Sequence, residues 1–233
     1  MIFKKQRRRH PRYVLPAESE WYQMVDQDGP KRLHDVSHGG FSALAGEPGK
    51  EGITRMIHIN LFGIDCVVST TIANHRPDVT GYRFVEAGHP LVYDFLQALE
   101  EGHQMVSGPK RLDKKGELTL VEYRHPISSS GLGLCYDAAR GKLMEASLQF
   151  MVGRDPISMY IGQEEIRLYS GSGPRTLRIR EVPRLRLLGI AAMARLVGAA
   201  KVLEGPYIHM CINTLSRYIS WLDKLREQGR ESA

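Results

Sequence analysis

Cysteine is scarce in this 233-residue chain. The three present, Cys66, Cys135 and Cys211, are far apart, odd in number and make no C-x-x-C. They imply no disulfide framework and fit a reducing compartment. Long apolar runs are also missing. The best candidate, Leu187 to Ala200, is shorter than the roughly 20 residues of a transmembrane helix and is interrupted by Arg195. The N-terminal segment is charged but has no apolar stretch, so it does not read as a signal peptide. Together these absences predict a soluble cytoplasmic protein with no transmembrane segment.

Enzyme signatures are absent too. Gly141-Lys142 is followed by Leu143 and has no glycine five residues earlier, so it is no P-loop. Ser170-Gly171-Ser172-Gly173-Pro174 reads as a turn, not a nucleophile elbow. The acidic pairs Glu100-Glu101 and Glu164-Glu165 are adjacent and read as solvated. His34 and His38 flank Asp35, but no third ligand is in sight, so no metal is expected. The chain is not expected to be an enzyme or to carry a cofactor.

What is there is ordinary globular material, 42% hydrophobic and 25% charged. Its charge is unevenly placed. The net charge is +6, and residues 1–12, MIFKKQRRRHPR, hold Lys4, Lys5, Arg7, Arg8, Arg9 and Arg12 with no acid. The remainder therefore sums to zero. This is a neutral body with a basic arm, and an anionic partner should meet the arm. Nucleic acid is the less favoured partner, because basic residues are not spread over the fold.

Between Tyr13 and Phe84 the pattern is that of short strands. Ile57, Ile59 and Leu61 alternate with His58 and Asn60, the period of a half-buried strand. Further strands are predicted within Tyr13–Val25, from Lys31 into the segment 35–40, over Cys66–Ala73 and over Gly81–Val85. Turns are predicted at Asp26–Pro30 and Asn74–Asp78. Pro90 can start a helix, and Val92, Phe95, Leu96 and Leu99 follow at helical spacing. This suits a small antiparallel barrel or sandwich with a closing helix.

Ser107 to Gly116 is polar and charged and reads as a linker. A second β-rich stretch follows over 118–179, its last strand at Thr176–Ile179. Two helices close the chain, from about Pro183 to Leu203 and from about Pro206 to Glu227. Apolar residues nearly encircle the first. The second carries Ile208, Cys211, Leu215, Tyr218, Leu222 and Leu225 in a stripe, which could be a coiled-coil seam or a face packed on the body; its length favours packing.

The chemistry concentrates in two places. Arg8-x-x-x-Arg12 puts two guanidiniums beside the first strand, and guanidinium binds phosphate oxygens or the O6/N7 edge of guanine in a planar, bidentate way. Asp35-x-Ser37-x-x-Gly40 puts a carboxylate, a hydroxyl and a glycine at a strand end. A carboxylate accepts from the N1–H and amino group of guanine, and Gly39 and Gly40 allow close backbone approach. Such a set suits a guanine nucleotide of few charges and needs no metal.

At these residues the chain resembles the PilZ family of bacterial cyclic di-GMP receptors, whose signature is R-x-x-x-R followed by [D/N]-x-S-x-x-G on a six-stranded barrel. The resemblance covers about residues 5–101. It implies that Arg8 and Arg12 grip the phosphates and guanine edges, that Asp35 and Ser37 contact a base and its neighbouring groups, and that Gly40 permits the turn. It further implies a stacking or electrostatic contact from Arg9. Arg7, just before the motif, implies a stacked pair of ligands. A six-charge arm without strong structure is expected to be mobile alone and to order over the bound anion.

In the second half, Pro126 to Gly131 echoes the 35–40 motif through Ser128 and Gly131, with Pro126 in the place of the carboxylate. A degenerate PilZ-like copy and an unrelated β+α module both fit. The expected organisation is therefore mainly β: residues 1–105 as a PilZ-type barrel with its arm, and 106–233 as an interaction module closed by two helices, contacting a protein partner or a second copy of the chain. The function expected from the resemblance is a cyclic di-GMP receptor acting on motility, attachment or exopolysaccharide output. The competing expectation is a non-sensing interaction protein whose arm holds an acidic protein or nucleic acid.

Overall fold

The computed structural model describes residues 12–15, 22–26, 29–44, 52–61, 64–85, 90–108, 110–170, 173–174, 181–203 and 205–231. Arg7, Arg8 and Arg9 and the strand expected at Thr176–Ile179 lie outside them. The chain divides into two compact units, Met1–Leu96 and Gln97–Ala233.

The first unit contains seven strands: β1 (Tyr13–Val14), β2 (Tyr22–Asp26), β3 (Gly29–Ser37), β4 (Gly40–Leu44), β5 (Thr54–Leu61), β6 (Ile64–Arg76) and β7 (Val79–Phe84). Six of them close an antiparallel barrel in the order β3-β2-β5-β6-β7-β4, shut by the pairing of β3 with β4. Alternation places the core. Ile57, Ile59 and Leu61 are buried while Met56 and His58 are exposed. Phe41 is fully buried and stacks on Tyr82 with ring centroids 5.0 Å apart. The turn expected at Asn74–Asp78 is tighter than the sequence suggested, since β6 runs to Arg76 before the chain reverses at 77–78.

The predicted helix is α1 (Pro90–Met105), with Val92, Phe95, Leu96 and Leu99 all buried. The boundary between the units falls within it.

The second unit holds an open seven-stranded meander: β8 (Lys110–Lys115), β9 (Leu118–Arg124), β10 (Gly131–Asp137), β11 (Lys142–Val152), β12 (Asp155–Ile161), β13 (Ile166–Ser170) and β14 (Gly173–Pro174), each paired with its sequence neighbours. Its connectivity differs from that of the barrel, whose strands are not in sequence order. β8 corrects the expectation of a linker. Lys110–Lys115 is a charged edge strand paired along its length with β9, and side chains that look like linker also protect a sheet edge from further pairing.

One face of the second sheet is apolar, with Leu132, Leu134, Leu148 and Met159 buried. Two helices complete this unit, α2 (Val182–Gly198) and α3 (Gly205–Glu231). A turn of 3-10 helix at Ala200–Val202 occupies the span into which the sequence extended α2. Most of α2 is buried, as its encircling apolar residues require. On α3, Ile208, Cys211, Leu215 and Leu222 are buried and Tyr218 and Leu225 half-buried, so the stripe packs on its own unit. Among the described residues no helix is long and apolar enough to cross a membrane.

Candidate functional site

The segment Leu33-His34-Asp35-Val36-Ser37 would, as a regular strand, turn Asp35 toward the same face as Leu33, into the core. It does not, because the ladder between β3 and β4 slips by one residue between Leu33 and Asp35. The bulge takes up His34 and resets the alternation. Leu33 and Val36 then both point inward, at 0% and 1% exposure, and Asp35 and Ser37 share the outer face. The sequence carries the cause: its apolar residues are three apart rather than two.

β1 lies along the edge of β3 opposite β4. Tyr13 is paired with Val36 and Val14 with Asp35, and the Leu15 N–H donates to the His34 carbonyl at 2.9 Å. This register delivers Arg12 to the motif. Its Nη1 donates to both oxygens of Asp35, at 2.8 Å to Oδ1 and 3.1 Å to Oδ2. The Asp35 side chain is 12% exposed and that of Arg12 28%. His34 Nδ1 stands 3.4 Å from Asp35 Oδ2. A pair this sheltered is screened less than a surface ion pair. Ser42 is paired with Asp35 across the ladder. The Ser42 hydroxyl is buried and has no hydrogen-bond partner among the described residues. The sequence reading missed it, since nothing about a serine two residues after Gly40 marks it.

At the tip of the hairpin, the Ser37 hydroxyl donates to the Gly40 carbonyl at 3.1 Å. Its proton is spent on the turn, and its lone pairs remain. The Gly39 carbonyl accepts the Phe84 N–H at 3.2 Å. Gly40 has φ +148°, and a Cβ there would lie 2.0 Å from the Tyr82 carbonyl oxygen. No residue with a side chain fits without moving the β7 backbone. His38 packs edge-on to Tyr93, with centroids 5.7 Å apart.

The structure therefore brings together Arg12, Asp35, Ser37, Gly39 and Gly40, residues up to 28 positions apart. Arg7, Arg8 and Arg9 lie outside the described residues. Among the described residues no group of three or more His, Cys, Asp or Glu side chains could hold a metal. No known protein family, curated protein or solved structure matches the chain.

The echo in the second unit does not reproduce this geometry. Gly131 opens β10 as Gly40 opens β4, but a Cβ on it would come no closer than 3.1 Å, to the Tyr123 carbonyl. Ser128 accepts the Ser130 N–H at 3.3 Å instead of donating to the glycine.

Proposed function

We propose that the first unit is a cytoplasmic receptor for cyclic di-GMP, a PilZ-type domain. The observation that carries this reading is the Arg12–Asp35 pair, held by the β1–β3 register beside a turn that admits only glycine. Guanine offers acceptors O6 and N7 on one edge and donors N1–H and N2–H on another. A guanidinium complements the first edge and a carboxylate the second. Arg8 and Arg12 take the phosphates and the acceptor edge. Asp35 takes the donor edge, and Ser42 is paired with it across the ladder. Arg9 adds a stacking or electrostatic contact, and Arg7 a second, stacked ligand. No bond is broken. The bound dianion orders the arm and creates a new surface, which the second unit relays to a protein partner governing motility, attachment or exopolysaccharide output.

Calorimetric titration of the whole chain with cyclic di-GMP, cyclic di-AMP and GTP tests this. The expected result is saturable binding of cyclic di-GMP only, with two ligands per chain if Arg7 acts as stated. Asp35→Ala and Arg12→Ala should each weaken binding at least tenfold, since a charge-assisted hydrogen bond is worth about 1.5–3 kcal/mol and about 1.4 kcal/mol is tenfold. Absence of heat with cyclic di-GMP, or equal heats with cyclic di-AMP, ends the proposal.

A further inference from the structure

The polar face of the second sheet is not flat. On the side opposite buried Leu132 and Leu134, the central strand β10 presents Gly131 and Gly133, two residues apart and so on one face. The ladders set Gly131 between Arg124 and Gln149, and Gly133 between Glu122 and Ser147. Gly131 leaves open space between its polar neighbours and makes a trough, while the Ser147 hydroxyl lies over Gly133 and donates to its carbonyl at 3.5 Å. The trough encloses about 200 Å³ and is bounded at one end by residues 125–130, which add Ser128 and Ser129.

The end wall is braced. His125 Nδ1 accepts the N–H groups of Ile127 at 3.1 Å and Ser128 at 2.8 Å. That leaves the ring proton on Nε2, which donates to Gln104 Oε1 at 2.6 Å. The Ser130 hydroxyl donates to the Glu101 carboxylate, and the Ser130 carbonyl accepts the His125 N–H at 2.9 Å. The trough's own polar tips are spent differently. Glu122, Arg124 and Gln149 have no side-chain hydrogen bond or ion pair among the described residues. Rigid walls with unused donors and acceptors turned into a concavity are the features of a preorganised binding site.

The lining selects the chemistry. Arg124, with the hydroxyls of Ser128 and Ser129, suits one acidic group. Glu122 and Gln149 offer the mixed acceptors and donors that neighbouring hydroxyls need, and Ser147, whose hydroxyl donates to the Gly133 carbonyl, keeps its acceptor capacity. Of the rings in the lining, that of His125 is fixed in the end wall by its hydrogen bonds. Tyr123, paired with Leu132, turns its side chain to the other face, where Lys110 lies 5.7 Å from its ring centroid. We infer that the trough binds a polyhydroxylated anion of monosaccharide size, a sugar phosphate or a sugar acid. Its acidic group lies on Arg124 and its hydroxyls on Glu122 and Gln149. This site is independent of the receptor reading of the first unit.

The test is titration of the whole chain with glucose 6-phosphate, glucuronate, glucose and inorganic phosphate, followed by calorimetry and by amide chemical shifts of Gly131 and Gly133. One or both of the first two ligands should bind one-to-one and move those amides, and which one does so identifies the acidic group. Glucose and inorganic phosphate should each bind at least tenfold more weakly. Arg124→Gln and Gln149→Leu, both substitutions on a solvent face, should each weaken binding about tenfold with an unchanged melting temperature. Arg12→Ala should leave it unaltered, which separates this site from the basic residues of the first unit. Three results overturn the inference: no shift at Gly131 and Gly133 with either sugar anion at millimolar concentration, inorganic phosphate binding as well as the sugar phosphate, or Arg124→Gln binding like wild type.

Discussion

A methyl group at Gly40 would sit 2.0 Å from the Tyr82 carbonyl oxygen and 2.9 Å from Arg83 Cα, at a φ of +148°. Both obstacles are backbone of β7, the strand that pairs with β4 to help close the barrel. Neither can swing away as a side chain would. Gly52 isolates the conformational part of the effect, because its φ is +84° but nothing lies within 4 Å of its would-be Cβ. Gly52→Ala should therefore lose about 1–2 kcal/mol of unfolding free energy, the left-handed penalty alone. Gly40→Ala should lose about 3 kcal/mol or more, because overpacking against backbone is added. Urea titration of the two variants, followed by Trp and Tyr fluorescence, checks the ranking. Equal losses would mean that the close approach to β7 has no energetic weight. The site motif was legible at this scale because Asp35, Ser37 and Gly40 are local and chemically distinctive. Their outward display was less so. It depends on the bulge at His34, which moves Asp35 from the core face to the outer face.

Elements were legible where burial is one-sided. β5 alternates cleanly, and α1 carries its apolar residues at three- and four-residue steps, so periodicity alone marks them. β8 was hidden because an edge strand of Lys, Arg and Asp buries almost nothing and has no period to find. Pairs between distant segments were hidden as well. Glu101 read as a solvated acid and Arg195 as a charge that interrupts an apolar helix. In the folded unit they form a sheltered ion pair. Arg195 Nη1 donates to the Ala191 carbonyl at 3.0 Å, and its guanidinium lies 4.2 Å from the centroid of the Phe150 ring. Burial lowers the Arg195 pKa and Glu101 opposes that shift.

The same crossing of α1 and α2 brings backbones together: a Cβ on Gly102 would meet the Arg195 carbonyl oxygen at 2.0 Å. Helix propensity alone predicts that Gly102→Ala gains about 1 kcal/mol. The crossing predicts the opposite sign, a net loss of about 2–4 kcal/mol. Gly189→Ala in α2 is the control. Its nearest obstacle is Ile219 Cγ1 at 3.1 Å, a side-chain atom that can yield, so the change should lie within about 1 kcal/mol of wild type. Thermal melts followed by circular dichroism at 222 nm decide between the two signs. A raised melting temperature for Gly102→Ala would show that α1 and α2 do not approach this closely in solution.

For the whole molecule, charge separates the two broad functional readings. The net +6 resides in residues 1–12, and the rest of the chain sums to zero. A protein that merely offers six cationic side chains to a polyanion releases counterions in proportion, so log K should fall against log salt with a slope of about −5 on duplex DNA. A receptor that holds a cyclic dinucleotide neutralises two phosphates and makes its other contacts with uncharged edges of the bases. Its slope should be about −2 or shallower, because each neutralised phosphate contributes about one unit. Asp35 sharpens the contrast, since removing a carboxylate can only help a general polyanion binder. Asp35→Ala should therefore leave DNA affinity equal or slightly raised while weakening cyclic di-GMP at least tenfold. Fluorescence anisotropy between about 50 and 500 mM NaCl, with labelled duplex DNA and labelled cyclic di-GMP on wild type and Asp35→Ala, measures both slopes together. A DNA line of slope near −5, with cyclic di-GMP affinity unmoved by the substitution, would identify the arm as a general anion grip. A shallow line for the cyclic dinucleotide that collapses with Asp35 would identify it as half of a binding site.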